Sequence, residues 1–221
     1  MSNVKISSLV LISIFLFSLN SFAAVTYKGK AWKDSIQQIP GKIQCEYYDR
    51  GGEGVAYHDT DSINEGSGKL NPANGSYLNE FRINEAVDIS YTKSNETDNN
   101  PYNMVEPIME QLYVGWTNHG EWLKYTINVN KSGIYNVGLM YTACGDGGIA
   151  FELDGKKLTS ELKVPTTRTD KEPVAWRQWH HWNYIDALTR VKLAKGVHVL
   201  TLKTVSNGNM NYDFISFKNV E

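Results

Sequence analysis

The feature that most constrains the fold is the stretch from residue 122 to residue 129, in which polar and apolar side chains alternate. The apolar members of this alternation are Leu123, Tyr125, Ile127 and Val129. A period of two places these side chains on one face of a β-strand and the intervening ones on the other face. The pattern therefore predicts a strand with one face in a core and one face toward solvent.

Other short segments with strand character recur along the chain and are separated by turns. They cover residues 42–48, 87–91, 134–142, 149–153, 156–158, 182–185, 191–193, 198–205 and 212–217. Asp154-Gly155, between two of them, suits the type I′ turn of a β-hairpin. No convincing amphipathic helix follows the first 23 residues. Many short strands with glycine-rich turns predict an all-β sandwich or jelly roll.

The first 23 residues have the pattern of an export signal. Lys5 precedes an apolar run over residues 9–19, and Ser21-Phe22-Ala23 offers small residues for cleavage after Ala23. A membrane anchor is the competing interpretation, but the run is short for a membrane-spanning helix. We expect a secreted or periplasmic protein with a signal peptide at 1–23, an N-terminal leader at 24–39 and one domain at 40–221.

The composition argues against two classes of partner. A net charge of −2 without a cluster of lysine and arginine disfavours nucleic acid and membrane surfaces, which require basic patches. The chain is rich in aromatic residues, with 6 Trp and 13 Tyr, and several of them stand in polar, glycine-rich stretches. Trp116 follows Gly115 in one such stretch, where it would either cap the core or present a flat platform to a ligand.

Two cysteines leave two possibilities open. Cys45 and Cys144 could form a disulfide in an exported protein. Cys45 also lies on the predicted first strand with its side chain facing the core, where a free buried thiol is common. Neither cysteine has the spacing of a metal ligand.

The motifs of the common hydrolases are absent from the sequence. There is no Gly-x-Ser-x-Gly nucleophile motif, and the five histidines do not form a His-Glu-x-x-His zinc pattern. Asp59-Thr60-Asp61 begins like a calcium-binding loop, but Ile63 and Leu70 occupy positions that need oxygen ligands. A pair of catalytic carboxylates is a matter of spatial geometry and stays open. We expect a protein that is not an enzyme.

Oxygen-bearing side chains near the two ends of the domain suggest a cation site. Gln44 and Glu46 share one face of the predicted first strand, and Asp213 would join them if the terminal strands pair. Such groups, with backbone carbonyls, suit Ca²⁺. The alternative is that these side chains face water, as strand carboxylates usually do.

A series of motifs resembles the carbohydrate-binding modules of family 6, in the order that the family shows. The opening motifs are residues 39–49 (IPGKIQCEYYD) and 51–59 (GGEGVAYHD). Those that follow are Val87-Asp88-Ile89, Val114-Gly115-Trp116, residues 120–125, Leu153-Asp154-Gly155, residues 196–200 and residues 211–217. The resemblance covers roughly residues 40–221, and it implies a galactose-binding-like β-jelly roll with a structural calcium ion.

The resemblance also implies a sugar site at the loops of one end of the jelly roll. In the family two aromatic side chains sandwich a sugar, and an asparagine bonds to its hydroxyl groups. Trp116 corresponds to the first aromatic and Asn211 to the asparagine. Trp179 is the expected second aromatic, with Trp176 as the alternative and Trp182 assigned to the core. Glu53 is expected in a loop near this cleft.

Two departures from the family pattern affect these expectations. Gln44 stands where the family commonly has a glutamate, so calcium is expected to bind less tightly. The polar insert at residues 92–110 is longer than expected and would reshape or partly cover a binding surface. A second site on the concave sheet face, which the family can use, stays undecided.

The resulting hypothesis is a non-catalytic protein that binds a polysaccharide or oligosaccharide. The expected ligand is a plant or algal β-glycan such as xylan, β-glucan or agarose. One alternative is that the chain serves, or is, a secreted glycoside hydrolase, and a separate hydrolase is a possible partner. Another alternative is an adhesion or structural protein with a degenerate sugar site.

Overall fold

A computed structural model describes residues 27–206 and 208–220, so the predicted signal peptide lies outside the described residues. The described chain contains one short α-helix, α1 (Tyr77–Glu80), and 3-10 turns at Trp32–Asp34, Cys45–Tyr47 and Ala175–Arg177. The strands are β1 (Gln37–Ile39), β2 (Gly41–Gln44), β3 (Tyr57–His58), β4 (Ser67–Gly68), β5 (Asn71–Pro72), β6 (Ile89–Tyr91), β7 (Leu112–Thr117), β8 (Trp122–Val129), β9 (Gly133–Ala143), β10 (Gly147–Leu153), β11 (Lys156–Lys157), β12 (Leu162–Val164), β13 (Asn183–Leu193), β14 (Gly196–Ser206) and β15 (Met210–Asn219).

The strands form two main sheets, which confirms the all-β jelly-roll sandwich. Sheet 1 runs β1-β8-β14-β10-β11, with β12 added to β10 and β3 added to β8. Sheet 2 runs β13-β9-β15-β7-β6, with β2 added to β15. Strand β8 alternates between half-buried and buried residues along its whole length, as the period of two predicts. Its buried side chains enter the core between the sheets.

The core is rich in large aromatic side chains. Tyrosine accounts for five of the largest fully buried residues, together with phenylalanine and isoleucine; the tyrosines are Tyr48, Tyr125, Tyr135, Tyr141 and Tyr212. Their hydroxyl groups reach partners at the margins of the core, because a buried hydroxyl without a partner is costly. The hydroxyl of Tyr125, for example, donates to the carbonyl of Cys45 at 3.0 Å.

The predicted hairpin turn is confirmed at Asp154-Gly155. These residues have φ values of 52° and 72°, and they join β10 to β11. Two successive positive φ values define the type I′ turn, and aspartate followed by glycine tolerates them well. Strand β11 consists of two exposed lysines, so the hairpin ends the sheet almost at once.

Residues before position 40, within the predicted leader, also pair with the sheets. Residues Gln37–Ile39 pair in parallel with Ile127–Val129 of β8, and Ile39 is fully buried. Lys30 also forms an isolated bridge with Arg50. The short segment carries a single core side chain, so it lacks the alternation that identifies longer strands.

The first long strand is shorter than predicted. Strand β2 ends at Gln44, and the chain continues as a 3-10 turn over Cys45–Tyr47. Cys45 is buried in the core, Cys144 is partly exposed, and both cysteines are free. The structure therefore favours the buried thiol over the disulfide.

The insert at residues 92–110 packs on the outer face of sheet 2. Backbone N–H groups of Met104 and Val105 donate to the carbonyl of Trp182 at 2.9 and 3.1 Å. Beneath the insert, Tyr113, Met140, Trp182 and Phe214 form a second, small apolar cluster outside the main core. Together with β2 and β15 the insert borders a groove of about 590 Å³ on this face.

Strand β13 forms one edge of sheet 2 and is irregular. Its register with β9 shifts between Ile185 and Thr189, and its last residues include exposed Arg190 and Lys192. Across the described chain we find no helix long and apolar enough to cross a membrane.

Candidate functional site

Trp116 lies near the end of β7 rather than in the following turn. Val114 pairs with Tyr212 and Thr117 pairs with Met210, so Gly115 and Trp116 together oppose Asn211. This two-against-one arrangement is a β-bulge, a device that re-aims a side chain at the rim of a sheet. Trp116 has a φ of 47°, a left-handed value that is uncommon for a bulky residue. Its side chain is half-buried.

Asn211 lies beneath Trp116 and is fully buried. Its Oδ1 accepts a hydrogen bond from the backbone N–H of Trp116 at 3.0 Å. Its Nδ2 donates to Thr142 Oγ1 at 2.9 Å and contacts His180 Nδ1 at 3.1 Å. The amide that was expected to bond to a sugar is thus engaged inside the protein, where it holds the Trp116 backbone.

The three tryptophans of residues 176–182 have different environments. Trp182 is fully buried and its Nε1 donates to Asp98 at 2.7 Å, which confirms its assignment to the core. Trp179 is half-buried and meets the ring of His180 edge-on, at 5.7 Å between centroids. Trp176 is 58% exposed on the 3-10 turn at Ala175–Arg177.

The structure brings three of the predicted residues together through His180. Asn211 links the Trp116 backbone to the imidazole of His180, and the ring of Trp179 meets the ring of His180, its neighbour in the chain. Trp176 has no contact with this group among the described interactions, and its neighbour Arg177 instead bonds to Glu96 in the insert at 3.3 Å. Trp179 is therefore the better placed of the two candidates.

Glu53 lies in the predicted loop and is half-exposed. Its carboxylate pairs with His58 Nδ1 at 2.5 Å and accepts from the backbone N–H of Asp59 at 3.1 Å. Asp59 is close to Glu121 and Asp61, and burial followed by these neighbouring carboxylates raises the pKa of Asp59 to about 7.

A second aspartate extends this acidic group to the Trp116 bulge. The carbonyl of Asp88 accepts from the N–H of Gly115 at 2.9 Å. Burial, with the charges of Asp59 and Asp61, raises the pKa of Asp88 to about 7 as well. The surroundings of the bulge are therefore rich in carboxyl groups, and two of these groups keep their protons to a higher pH than usual.

The predicted cation ligands also meet in space. Strand β2 pairs with β15, which places Gln44 opposite Phe214, next to Asp213. Glu46 and Asp213 are almost completely buried, at 2% and 0% exposure. Glu46 Oε2 and Asp213 Oδ2 have no hydrogen-bond partner among the described residues. Burial raises the pKa of Asp213 to about 7 and that of Glu46 well above its usual value.

The oxygen atoms of these side chains suit a calcium ion, which would supply the partner that the protein itself does not. Two buried carboxylate oxygens without partners are costly unless a cation or a proton compensates them. Calcium takes carboxylate, amide and backbone carbonyl oxygens in flexible geometry. In the described part of the chain no three acidic, histidine or cysteine side chains cluster as metal ligands, so Gln44 and backbone oxygens would have to complete the set.

Sequence reasoning missed several residues of both sites. Gln111, at the end of the insert, contacts Gln44 Oε1 at 2.7 Å and also Asp213 Oδ1. Asp98 and His180 lie beneath Trp116. Asp98 lies within the polar insert at residues 92–110 and Gln111 directly follows it. The insert has no periodic pattern that indicates which side chains point inward. For His180 the sequence offered one indication, its position directly after the candidate Trp179.

No curated protein matches this chain. Among solved structures it is similar to the C-terminal family 6 module of LamC, a laminarinase of Zobellia galactanivorans, with 19% identity, a TM-score of 0.46, and coverage of 81% of this chain and 98% of that chain. It is also similar to the module CBM6cm-2 of Cellvibrio mixtus lichenase 5A in complex with cellotriose (17% identity, TM-score 0.47, 82% and 98% coverage). A β-1,3-glucan-binding family 6 module of Bacillus halodurans matches at 14% identity with a TM-score of 0.47 and 83% and 99% coverage.

The assignment rests on the family match rather than on these distant structures. The sequence model of the carbohydrate binding module family 6 matches residues 85–219, more than half of the chain. The matched region includes the Trp116 bulge, the tryptophans of residues 176–182 and Asp213. The chain therefore belongs to family 6 of the carbohydrate binding modules.

Proposed function

We propose that the chain binds a neutral β-glycan without cleaving it, through the exposed faces of Trp116 and Trp179. The observation that carries this proposal is that the backbone of Trp116 and the ring of Trp179 both contact one buried pair, Asn211 and His180. Family 6 is a family of non-catalytic binding modules. A pyranose ring presents an apolar face of C–H groups, and indole rings offer flat, rigid surfaces for it.

The acidic surroundings of the bulge support a neutral ligand. Asp88 accepts from the N–H of Gly115, Asp59 and Glu121 line a small cavity beside Gly115, and Glu53 contacts Asp59. Above about pH 7, where Asp59 and Asp88 are ionised, these carboxylates would repel a polysaccharide that carries uronate or sulfate groups, most strongly at low ionic strength. Xylan, β-glucan and agarose are uncharged candidates. A shallow aromatic site of this kind binds in the micromolar to millimolar range, about −8 to −4 kcal/mol.

Affinity electrophoresis of the described domain tests this function. Gels would contain xylan, laminarin, mixed-linkage β-glucan or agarose, with alginate as an anionic comparison. Retardation in a neutral gel that is lost in Trp116→Ala and Trp179→Ala, but kept in Trp176→Ala, is the expected result. Retardation that survives both changes would move the site to a sheet face, and retardation in no gel would favour the adhesion role.

A reducing-sugar assay on the same glycans separates binding from hydrolysis. We expect no release of sugar by the chain alone. Release that depends on an added, separate glycoside hydrolase, and that rises with this protein present, would support the accessory role.

We also propose that Gln44, Glu46 and Asp213 hold a structural calcium ion. Support comes from the two buried carboxylate oxygens without partners and from the pairing of β2 with β15. Gln111 is a further candidate ligand, because its amide already contacts two of these side chains and the orientation of an amide is assigned from its contacts. When bound, the ion would tie the first strand of the domain to the last.

Export is the remaining part of the proposal. The positive start, apolar run and small-residue site within residues 1–23 support it. Expression of the full chain followed by N-terminal sequencing of the exported protein is expected to give a start at Ala24.

A further inference from the structure

A side-chain hydrogen bond supports the left-handed backbone of Trp116. A tryptophan with a φ of 47° is strained and persists where its surroundings fix it. The N–H of Trp116 donates to Asn211 Oδ1 at 3.0 Å, in the bulge where Gly115 and Trp116 oppose Asn211. The orientation of the Asn211 amide therefore decides whether this bond forms.

His180 determines that orientation. Asn211 Nδ2 meets His180 Nδ1 at 3.1 Å. A donor at Nδ2 requires that His180 Nδ1 be unprotonated, because an amide nitrogen cannot accept a hydrogen bond. If His180 Nδ1 carried a proton, the amide would turn its oxygen toward His180 and its N–H₂ group toward the N–H of Trp116. The bond that supports Trp116 would then be lost.

The insert in turn supplies the partner of His180 Nε2. His180 Nε2 lies 2.9 Å from Asp98 Oδ1, and Asp98 is fully buried. Asp98 accepts two further hydrogen bonds, from Trp182 Nε1 at 2.7 Å and from the backbone N–H of Lys93 at 2.8 Å. Three donors around this carboxylate make it an acceptor, so His180 Nε2 carries a proton, and the contact with Asn211 Nδ2 requires that Nδ1 be the acceptor.

We propose that the insert at residues 92–110 positions the Trp116 platform through the buried chain Asp98–His180–Asn211. Asp98 and His180 are then positioning residues for the glycan site, although neither lies on its surface. The insert has two effects: it covers the outer face of sheet 2 and it orients the aromatic side chain at the rim. The link to glycan binding rests on the proposed function, whereas the link to the Trp116 backbone does not.

Two substitutions of His180 separate its two contacts. The side-chain oxygen of asparagine can replace Nδ1 as an acceptor for Asn211, while the amide nitrogen of glutamine can replace Nε2 as a donor to Asp98. His180→Asn is expected to keep the Trp116 bond, and His180→Gln is expected to lose it. Glycan affinity should fall about fivefold or more in His180→Gln, as loss of about one net hydrogen bond implies, and less in His180→Asn.

A ligand-free measurement keeps this test independent of the glycan. Nitrogen-15 spectra of the wild-type imidazoles at neutral pH are expected to show His180 protonated at Nε2 alone. The backbone amide resonance of Trp116 should move in His180→Gln and stay close to its wild-type position in His180→Asn and in the control His198→Gln.

Two results would overturn the proposal. One is a wild-type His180 that is protonated at Nδ1. The other is a Trp116 amide resonance unchanged in a folded His180→Gln variant. If that variant fails to fold, the wild-type protonation pattern decides. If the wild type binds no glycan in any gel, the proposed function fails while the backbone measurements still test the positioning chain.

Discussion

Calcium removal should lower the thermal stability of this domain by a measurable and predictable amount. Glu46 and Asp213 bury two carboxylate oxygens that have no partner within the described chain. A bound cation would compensate both, so a chelator is expected to leave a folded but less stable protein. The perturbation is dialysis against EDTA, and the assay is differential scanning calorimetry with and without calcium.

The magnitude follows from the affinity that such a site can have. Extracellular calcium modules bind with dissociation constants of about 10⁻⁴–10⁻³ M, and Gln44 removes one charge from this site. If the dissociation constant is about 0.1 mM, calcium at about 10 mM would stabilise the folded state by about 2.7 kcal/mol. For a domain of this size each kcal/mol shifts the melting temperature by about 2–4 °C, so the expected shift is about 5–11 °C.

Substitutions of the proposed ligands add to the test, because one should reduce the calcium-dependent shift in melting temperature and another should enlarge it. Glu46→Gln keeps the side-chain shape and removes a buried charge, so it should abolish most of the calcium shift and melt no lower than wild type in EDTA. Gln44→Glu should weaken the calcium-free protein and enlarge the shift. Glu152→Gln, in a partly exposed pair with Lys203, is the matched control and should keep the full shift. A wild-type protein with no calcium shift, or a Glu46→Gln variant with the full shift, would refute the reasoning.

Three further outcomes are expected. Because the pKa values of Asp59 and Asp88 are raised to about 7, the folded state holds extra protons between about pH 4 and pH 7, and its stability should fall as the pH rises through this window. Melting temperatures at pH 5 and pH 8 test this in the wild type and in a variant with both Asp59 and Asp88 replaced by asparagine. An equal pH dependence in the two proteins would contradict the prediction. Ile39→Ala should destabilise the domain by about 2–5 kcal/mol in urea unfolding, since Ile39 is fully buried. A loss of less than about 1 kcal/mol would indicate that β1 contributes little to the stability of the domain. A thiol reagent should modify Cys144 in the native protein and Cys45 only after unfolding, because Cys45 is buried and burial raises its pKa; rapid reaction of both would contradict this.

The sequence predicted the fold well where periodicity and turn chemistry act locally. The alternation in β8 and the Asp154-Gly155 turn need only neighbouring residues to be recognised, and the structure confirms both. The three-residue β1 was missed because its single core side chain, Ile39, cannot establish a period. Its pairing with β8 is a contact between distant parts of the chain.

The candidate sites were predictable only in part, for a related reason. The motifs located Trp116, Asn211 and Asp213, but the burial of Asn211 depends on how β15 faces β7 and β9. Asp98 lies in a polar stretch whose composition suggests a solvated loop. Three inward-facing donors make it a buried acceptor, and only the folded arrangement brings those donors together.

If copies of the chain gather on a glycan, as proposed, the edges of the sheets have a further consequence. Copies held side by side would expose unpaired backbone groups to one another, which is the condition under which sheets extend from molecule to molecule. Strand β11 offers only two exposed lysines, and β13 interrupts its register between Ile185 and Thr189 and ends among positive charges. These features of β11 and β13 disfavour the pairing of one copy with the next along these two edges. Molecules crowded on a glycan surface should therefore stay separate there and exchange freely.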